Sequence, residues 1–322
     1  MQVVSLDELS PERTGAWGSL VWSDHDPPQD HALFRRARAL GVPFAEYVAL
    51  FAVERGQVLA EATARHFSWT SPERTETFAG VSDVVTQPEV QHRGLCTRLL
   101  RELHRRERSQ GIRWVMLWTR RSWGAHRLYE RLGYRDIYSP PSAVLPPRSA
   151  ERPRLGKGFS LRSARRTDAP VLESIFSRAT RGRCGFVPRP PNSFRARMAL
   201  GWRTAKDHHL LVRGSTPVGY FYATETPRTL SVYEGVVVER GLLPHLLDAM
   251  QRRAGRRWLT IGYSTLVTDT SDLLRERGFS LRESCQATLM ARSLSDHPQH
   301  GIRELRRLAR DPRFSCHRGD VF

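Results

Sequence analysis

The chain has 322 residues, 39% of them hydrophobic and 26% charged, with a formal net charge of +18 at pH 7. That length exceeds the about 250–300 residues one core ordinarily fills, and apolar clusters recur throughout, which excludes a disordered chain and predicts two folded domains. The charge is a poor argument for nucleic acid: of the 51 basic residues only Lys157 and Lys206 are lysine, and the arginines are scattered rather than gathered in one footprint.

In chain order, residues 46–53, 58–69 and 78–86 are rich in apolar and β-branched side chains and read as strands. Residues 94–109 read as an amphipathic helix, with Leu95, Leu99, Leu100 and Leu103 on one stripe and arginines on the other face. Gly111 ends it. A strand over 112–119, a helix over 122–132 stopped at Gly133, and a strand over 134–138 follow. Prolines at 140, 141, 146, 147 and 153, with Gly156 and Gly158, then disfavour regular structure, so 141–158 is expected to be a linker. It separates a domain over 1–140 from one over 159–295, with 296–322 as a C-terminal tail. In the second domain, strands are predicted over 208–212, 218–224, 229–238 and 257–263, and helices over 242–254 and 271–277. Antiparallel strands followed by strand–helix–strand–helix predict an α+β fold with a mixed, mostly antiparallel sheet flanked by helices in each half.

The halves also match each other. Residues 127–134 (RLYERLGY) correspond to 272–279 (DLLRERGF), 93–100 (RGLCTRLL) to 240–247 (RGLLPHLL), and 112–118 to 257–262, in the same order. This is the pattern of a tandem repeat.

No run approaches the ~18 apolar residues of a membrane span. The first residues lack a basic segment followed by an apolar one. Cys96, Cys184, Cys285 and Cys316 form no C-x-x-C pair, and His208–His209 has no ligand spacing around it, so no metal is expected. A cytoplasmic protein with reduced thiols is the expectation.

Residues 86–98 (TQPEVQHRGLCTR) join a strand to an amphipathic helix. Such a junction presents unpaired backbone N–H groups at the positive end of a helix dipole, a site suited to phosphate or pyrophosphate. Gly94 permits close backbone approach, and Arg93 adds a charge. A helix-start Cys96 could be a nucleophile, but no His–Asp partners accompany it.

Gln91-x-x-Gly94-x-Cys96 resembles the Q/R-x-x-G-x-G/A signature of the GCN5-related N-acetyltransferases, with cysteine where glycine or alanine is usual. Residues 122–134 (SWGAHRLYERLGY) resemble the family's N-x-x-A-x-x-L-Y-x-x-x-G-F segment, with Ser122 for asparagine and Tyr134 for phenylalanine. The resemblance implies two tandem acyl-CoA N-acyltransferase domains and acetyl-CoA as co-substrate. It implies a pyrophosphate loop of Gln91, His92, Arg93, Gly94, Leu95, Cys96 and Thr97, a pantetheine-pairing strand at Val84, Val85 and Thr86, and contacts from Ser122 and Ala125. Tyr129 is then the general acid for the departing thiolate. The acceptor would be a primary amine of a small molecule, peptide or protein, which the sequence does not name.

A general base is not singled out: Asp83, His66, Glu76, His126 and the terminal carboxylate of Phe322 all remain open. In the second half, 236–242 runs almost directly from strand to helix, Pro244 removes an N–H, and Leu274 replaces Tyr129. That half is expected to be degenerate. An active first half beside a degenerate second resembles the enhanced intracellular survival type of acetyltransferase, although the further sterol-carrier-like domain of that type has no counterpart in 296–322. Segments 17–40 and 182–202, with Phe34, Phe44, Phe186 and Phe194, are expected to line the acceptor side or to sit in the core. A non-catalytic acyl-CoA-binding regulator and a basic nucleic-acid-associated protein are the competing readings.

Overall fold

The computed structural model describes residues 1–5, 8–9, 39, 47–71, 75–139, 141–147, 153–189, 191–201, 204–262, 270–282, 287–311 and 313–314. The first half contains β1 (Gln2–Ser5), β2 (Tyr47–Glu54), β3 (Gln57–Thr70), β4 (Thr75–Thr86), α1 (Leu95–Ser109), β5 (Trp114–Arg120), α2 (Gly124–Arg131) and β6 (Arg135–Tyr138). Next come β7 (Ser142–Leu145), β8 (Phe159–Ser163), α3 (Ala169–Thr180), α4 (Ser193–Ala199), β9 (His208–Arg213), β10 (Thr216–Glu225) and β11 (Thr229–Val237). The chain continues through α5 (Leu243–Ala254), β12 (Trp258–Gly262), α6 (Ser271–Glu276), β13 (Ser280–Arg282), β14 (Ala287–Ser293) and α7 (Pro298–Leu308).

Among the described residues the strands form two seven-stranded sheets, ordered β1-β2-β3-β4-β5-β14-β6 and β13-β7-β12-β11-β10-β9-β8. Pairing is antiparallel except between β4 and β5 and between β11 and β12. The β2–β3 hairpin turns through Arg55 and Gly56, both at positive φ, the geometry that matches the twist of a two-residue connection. Along β5 the side chains alternate between faces. Val115 and Leu117 pack with the Leu95–Leu99–Leu100–Leu103 stripe of α1, and Trp114 and Met116 pack with Ile302 and Leu305 of α7. The second sheet is covered likewise by α5 on one face and by α3 and α4 on the other. Phe194 is buried in that second core.

The strand order departs from the expected division into 1–140 and 159–295. β7 lies inside the supposed linker and pairs with β12 and β13 of the second sheet, while β14 leaves the second half and lies between β5 and β6 of the first. The halves are therefore interlocked by an exchange of strands. The prolines at 140, 141, 146 and 147 bracket β7 instead of dissolving it, since Pro is tolerated at strand ends. The expected tail likewise contains α7, which covers the first sheet. The repeat is visible in matching helix ends. Tyr134 N–H donates to the Tyr129 carbonyl and Phe279 N–H to that of Leu274, both at 3.0 Å, beside Gly133 and Gly278 at positive φ.

β14 also carries a polar link into the first half. Arg292 Nη1 donates to His104 Nδ1 at 2.9 Å and to the Leu132 carbonyl at 2.7 Å. With Nδ1 accepting, the neutral ring keeps its proton on Nε2, 2.8 Å from the Tyr134 hydroxyl. Burial, reinforced by the Arg292 charge, lowers the His104 pKa to about 3.

Two predictions follow from this packing. A Cβ at Gly301 of α7 would lie 2.3 Å from the ring of Trp114, which is fully buried and cannot move aside. Gly301→Ala should cost about 1–3 kcal/mol in urea unfolding. Gly241→Ala, whose Cβ meets open space, should be close to neutral. The second concerns pH. Because the His104 pKa is depressed on folding, the unfolded chain takes a proton that the native chain refuses. The stability from His104 is complete above the unfolded value of 6.5 and is lost as pH falls toward 3. Unfolding free energy should decline from about pH 7 to about pH 4, with a shallower slope in His104→Gln.

Candidate active site

β4 and β5 pair only at Ala79↔Val115 and Gly80↔Met116. Beyond Gly80 the two strands part, and the β5-facing edge of β4 has no strand partner among the described residues. A bulge helps turn β4 aside: its register with β3 shifts between Glu61 and Thr63, and Asp83 takes φ 49°. Asp is one of the few side chains tolerant of that conformation. Its carboxylate is held by Thr63 Oγ1, Ser82 Oγ and Arg65 Nη2, each at 3.0 Å.

The opening so formed is a cavity of about 530 Å³ between the end of β4, the start of α1 and α2. Val84, Thr86, Gln91, His92, Gly94, Leu95, Cys96, Thr97, Ala125 and Tyr129 line it. The structure thus gathers these sequence-predicted residues at one place. His92 and Gly94 both have positive φ, at 64° and 77°, and no side chain caps the N-terminus of α1. The first-turn amides therefore face the cavity end without a protein acceptor, the arrangement that binds anions. A Cβ on Gly94 would meet nothing within 4 Å, so glycine is required there by the backbone conformation rather than by crowding.

Cys96 Sγ lies 2.8 Å from Thr86 Oγ1. Burial raises its pKa, and the Thr86 hydrogen bond only partly opposes this. The thiol is therefore a small protonated wall of the cavity and not an activated nucleophile. Tyr129 is largely buried, edge-on to Tyr134 with ring centroids 5.7 Å apart. Burial first, then the neighbouring Cys96, pushes its phenol well above the ordinary value. Among the described residues its hydroxyl has no hydrogen-bond partner. It is a proton-bearing group aimed at a cavity with its donor capacity unspent.

Three sequence-predicted residues lie outside the lining. Val85 packs on the opposite face, against the cluster of Ala49, Phe51 and Val53. Arg93 pairs with Glu54 at 3.3 Å, and Ser122 is exposed in the turn before α2. Conversely, Val90, Gly124, Leu128 and Arg131 line the cavity without having been singled out. Leu128 and Arg131 could have been found by stepping three and six residues along the helix from Ala125. Of the residues weighed as bases, the four that are described are engaged. Asp83 is held as above, and His66 lies 2.7 Å from Glu107. Glu76 accepts from Arg113 at 2.6 Å, and His126 Nε2 lies 3.0 Å from Asp136. Phe322, Phe34, Phe44, Cys285 and Cys316 lie outside the described residues. Among those described, no three His, Cys, Asp or Glu are placed to share a metal, and no helix is long and apolar enough to cross a membrane.

The second half repeats the splay without the loop. β11 and β12 pair over Thr229–Val232 only, but residues 238–242 then pass through one tight turn into α5, with Pro in its first turn. Leu274, in the position of Tyr129, is fully buried.

Residues 18–137 match the family model of the acetyltransferase (GNAT) domain. No curated protein matches the chain. Among solved structures, a probable N-acyltransferase from Enterococcus faecalis V583 superposes with a TM-score of 0.68 at 13% identity, covering 91% of this chain and 72% of that one. A tandem GNAT protein from the clavulanic acid biosynthesis pathway gives 0.54 at 14% identity, covering 91% and 98%. Eis1 from Mycobacterium abscessus gives 0.53 at 18% identity, covering 90% and 73%. At these identities the likeness establishes the fold alone: α+β, with two tandem domains of the GNAT fold. The match over the first half supports acyl transfer as the general activity.

The state of Cys96 is directly measurable. Peptide-resolved labelling with iodoacetamide should find Cys96 alkylated more slowly than an exposed reference thiol, with its half-rate pH above that thiol's, and Thr86→Val should raise that pH further. A half-rate pH below the reference would mean that the helix start activates the thiol.

Proposed function

We propose that the chain transfers an acetyl group from acetyl-CoA to a primary amine, using the cavity of its first half. The observation that carries this reading is the meeting, in one cavity, of uncapped amides at the start of α1 and the unpartnered hydroxyl of Tyr129. The groups present fit the co-substrate. Gln91, His92, Gly94, Leu95, Cys96 and Thr97 would surround the pyrophosphate, where backbone N–H groups and the α1 dipole favour negative charge. Val84 and Thr86, on the free edge of β4, would pair with the amides of the pantetheine arm, and Ala125 leaves room beside it.

When bound, acetyl-CoA supplies an activated thioester carbonyl. The chain's part is to orient it and to manage charge. The neutral amine attacks the carbonyl carbon, and N–H groups on the open edge of β4 stabilise the oxyanion. As the C–S bond breaks, Tyr129 Oη gives its proton to the leaving sulfur, and the proton lost by the amine balances it. The burial that keeps Tyr129 protonated also raises the affinity of a thiolate in the same cleft for a proton, so the two remain matched. The acceptor is a small-molecule, peptide or protein amine.

Calorimetric titration with acetyl-CoA, paired with turnover on a panel of amines, tests this reading. The wild-type chain should bind at one site. Tyr129→Phe should lower kcat about 100-fold or more with little change in affinity, whereas Gly94→Trp should abolish binding by filling the loop. Tyr129→Phe with unchanged turnover would make the tyrosine structural and leave a non-catalytic acyl-CoA binder as the better account. Unchanged binding in Gly94→Trp would remove the site assignment.

A further inference from the structure

The second half has kept the splay of its sheet, and four arginines converge on it. A cavity of about 210 Å³ is walled by Gly235, Val237 and Val238 of β11 and its extension, by Arg240 and Leu243 at the start of α5, and by Arg178, Ala179, Arg181 and Arg183 at the end of α3 and just beyond it. No carboxylate lines it. Among the described residues, none of Arg178, Arg181, Arg183 and Arg240 has an ion pair or a side-chain hydrogen bond. Three acids of this half are engaged elsewhere: Asp168 by Arg162, Glu225 by Arg253 and Arg257, and Glu234 by Arg189.

We infer that this cavity is an anion site, built to hold the phosphoryl group of an organic phosphate among Arg178, Arg181, Arg183 and Arg240. Guanidinium groups offer forked donors that match phosphate oxygens, and they do so here with no competing carboxylate. Arg183 is half-buried, and its charge is disfavoured first by that burial and then by Arg240. Two like charges held together in a partly dry position are costly, and an anion between them removes the cost. The start of α5 adds the positive end of its dipole.

The site is not a second copy of the first-half cavity. The turn over 238–242 is short, Pro244 removes an amide, and Leu274 has no hydroxyl, so the donors here are side chains and not backbone. The room for the rest of the ligand lies next door. Arg181 and Arg183 also line an adjoining cavity of about 870 Å³, whose walls include Phe176, Phe186, Ser177 and Thr180, with Thr70 and Ser71 from the first half. A phosphoryl head in the small cavity and an organic body in the large one is the ligand this shape accepts. Phe186 belongs to that wall, whereas Phe194 belongs to the core behind it.

The test uses the full chain carrying Gly94→Trp, so that the first-half loop, itself suited to pyrophosphate, is filled. Inorganic pyrophosphate is titrated into it calorimetrically at constant ionic strength. This chain should bind one equivalent. In the same background each of Arg183→Gln and Arg240→Gln should weaken binding about tenfold or more, and the two together should abolish it. The unliganded chain with both substitutions should melt no lower than its Gly94→Trp parent, because it loses a repulsion. If it does not fold, the exposed pair Arg178→Gln and Arg181→Gln gives the same reading. Absence of binding to the Gly94→Trp chain, or binding there that survives these substitutions, would overturn the assignment.

Discussion

The antiparallel ladder between β5 and β14, running from Ala287↔Arg120 to Ser293↔Trp114, is the constraint on which the rest depends. A central strand must satisfy its backbone groups on both edges. β5 meets β4 at two residues only, so the rest of that edge opens, and β14 satisfies the opposite edge along its full length. The cavity beside β4 therefore exists because a strand from the far end of the chain holds β5 in place. The same strand brings Arg292 to His104 and Leu132, behind the aromatic pair of Tyr134 and Tyr129. The candidate site in the first half is thus assembled partly by the second.

The two halves share one frame and differ where chemistry would occur. Each has a short parallel pair, a splay, a helix after it, and a later helix ended by a glycine at positive φ. In the first half the junction is a long loop with uncapped amides, and the later helix presents a hydroxyl. In the second the junction is a single turn, and the later helix presents Leu274 to the core. Divergence of this kind leaves packing intact, because Leu and Tyr both fill the space under the sheet, while it removes the proton donor. The arginines around the second splay show that loss of one ligand chemistry need not empty a site.

Much of this was legible in the sequence, and the exceptions have physical causes. Helix α1 and strands β3, β4 and β11 were readable because their apolar periodicity is strong and their ends carry glycine or turn residues. Tyr129, Gly94 and Cys96 were readable because local motifs hold them close in sequence. The exchange of β7 and β14 was not. Ser142–Leu145 is four residues between prolines, and nothing local says which sheet a strand will join. The ion pair that draws Arg93 to Glu54 was equally hidden, since Glu54 lies on another strand. The engagement of Asp83 by Thr63 and Arg65 depends on a bulge whose register shift no periodicity announces.

The central claim is that the first splay, and not the second, receives acetyl-CoA. Amide hydrogen exchange of the full chain, with and without saturating acetyl-CoA, tests it most directly. The account predicts slowed exchange over residues 84–97 and 124–131, with residues 235–247 unchanged. Protection over 235–247 in place of 84–97, or no protection in either half, would contradict it.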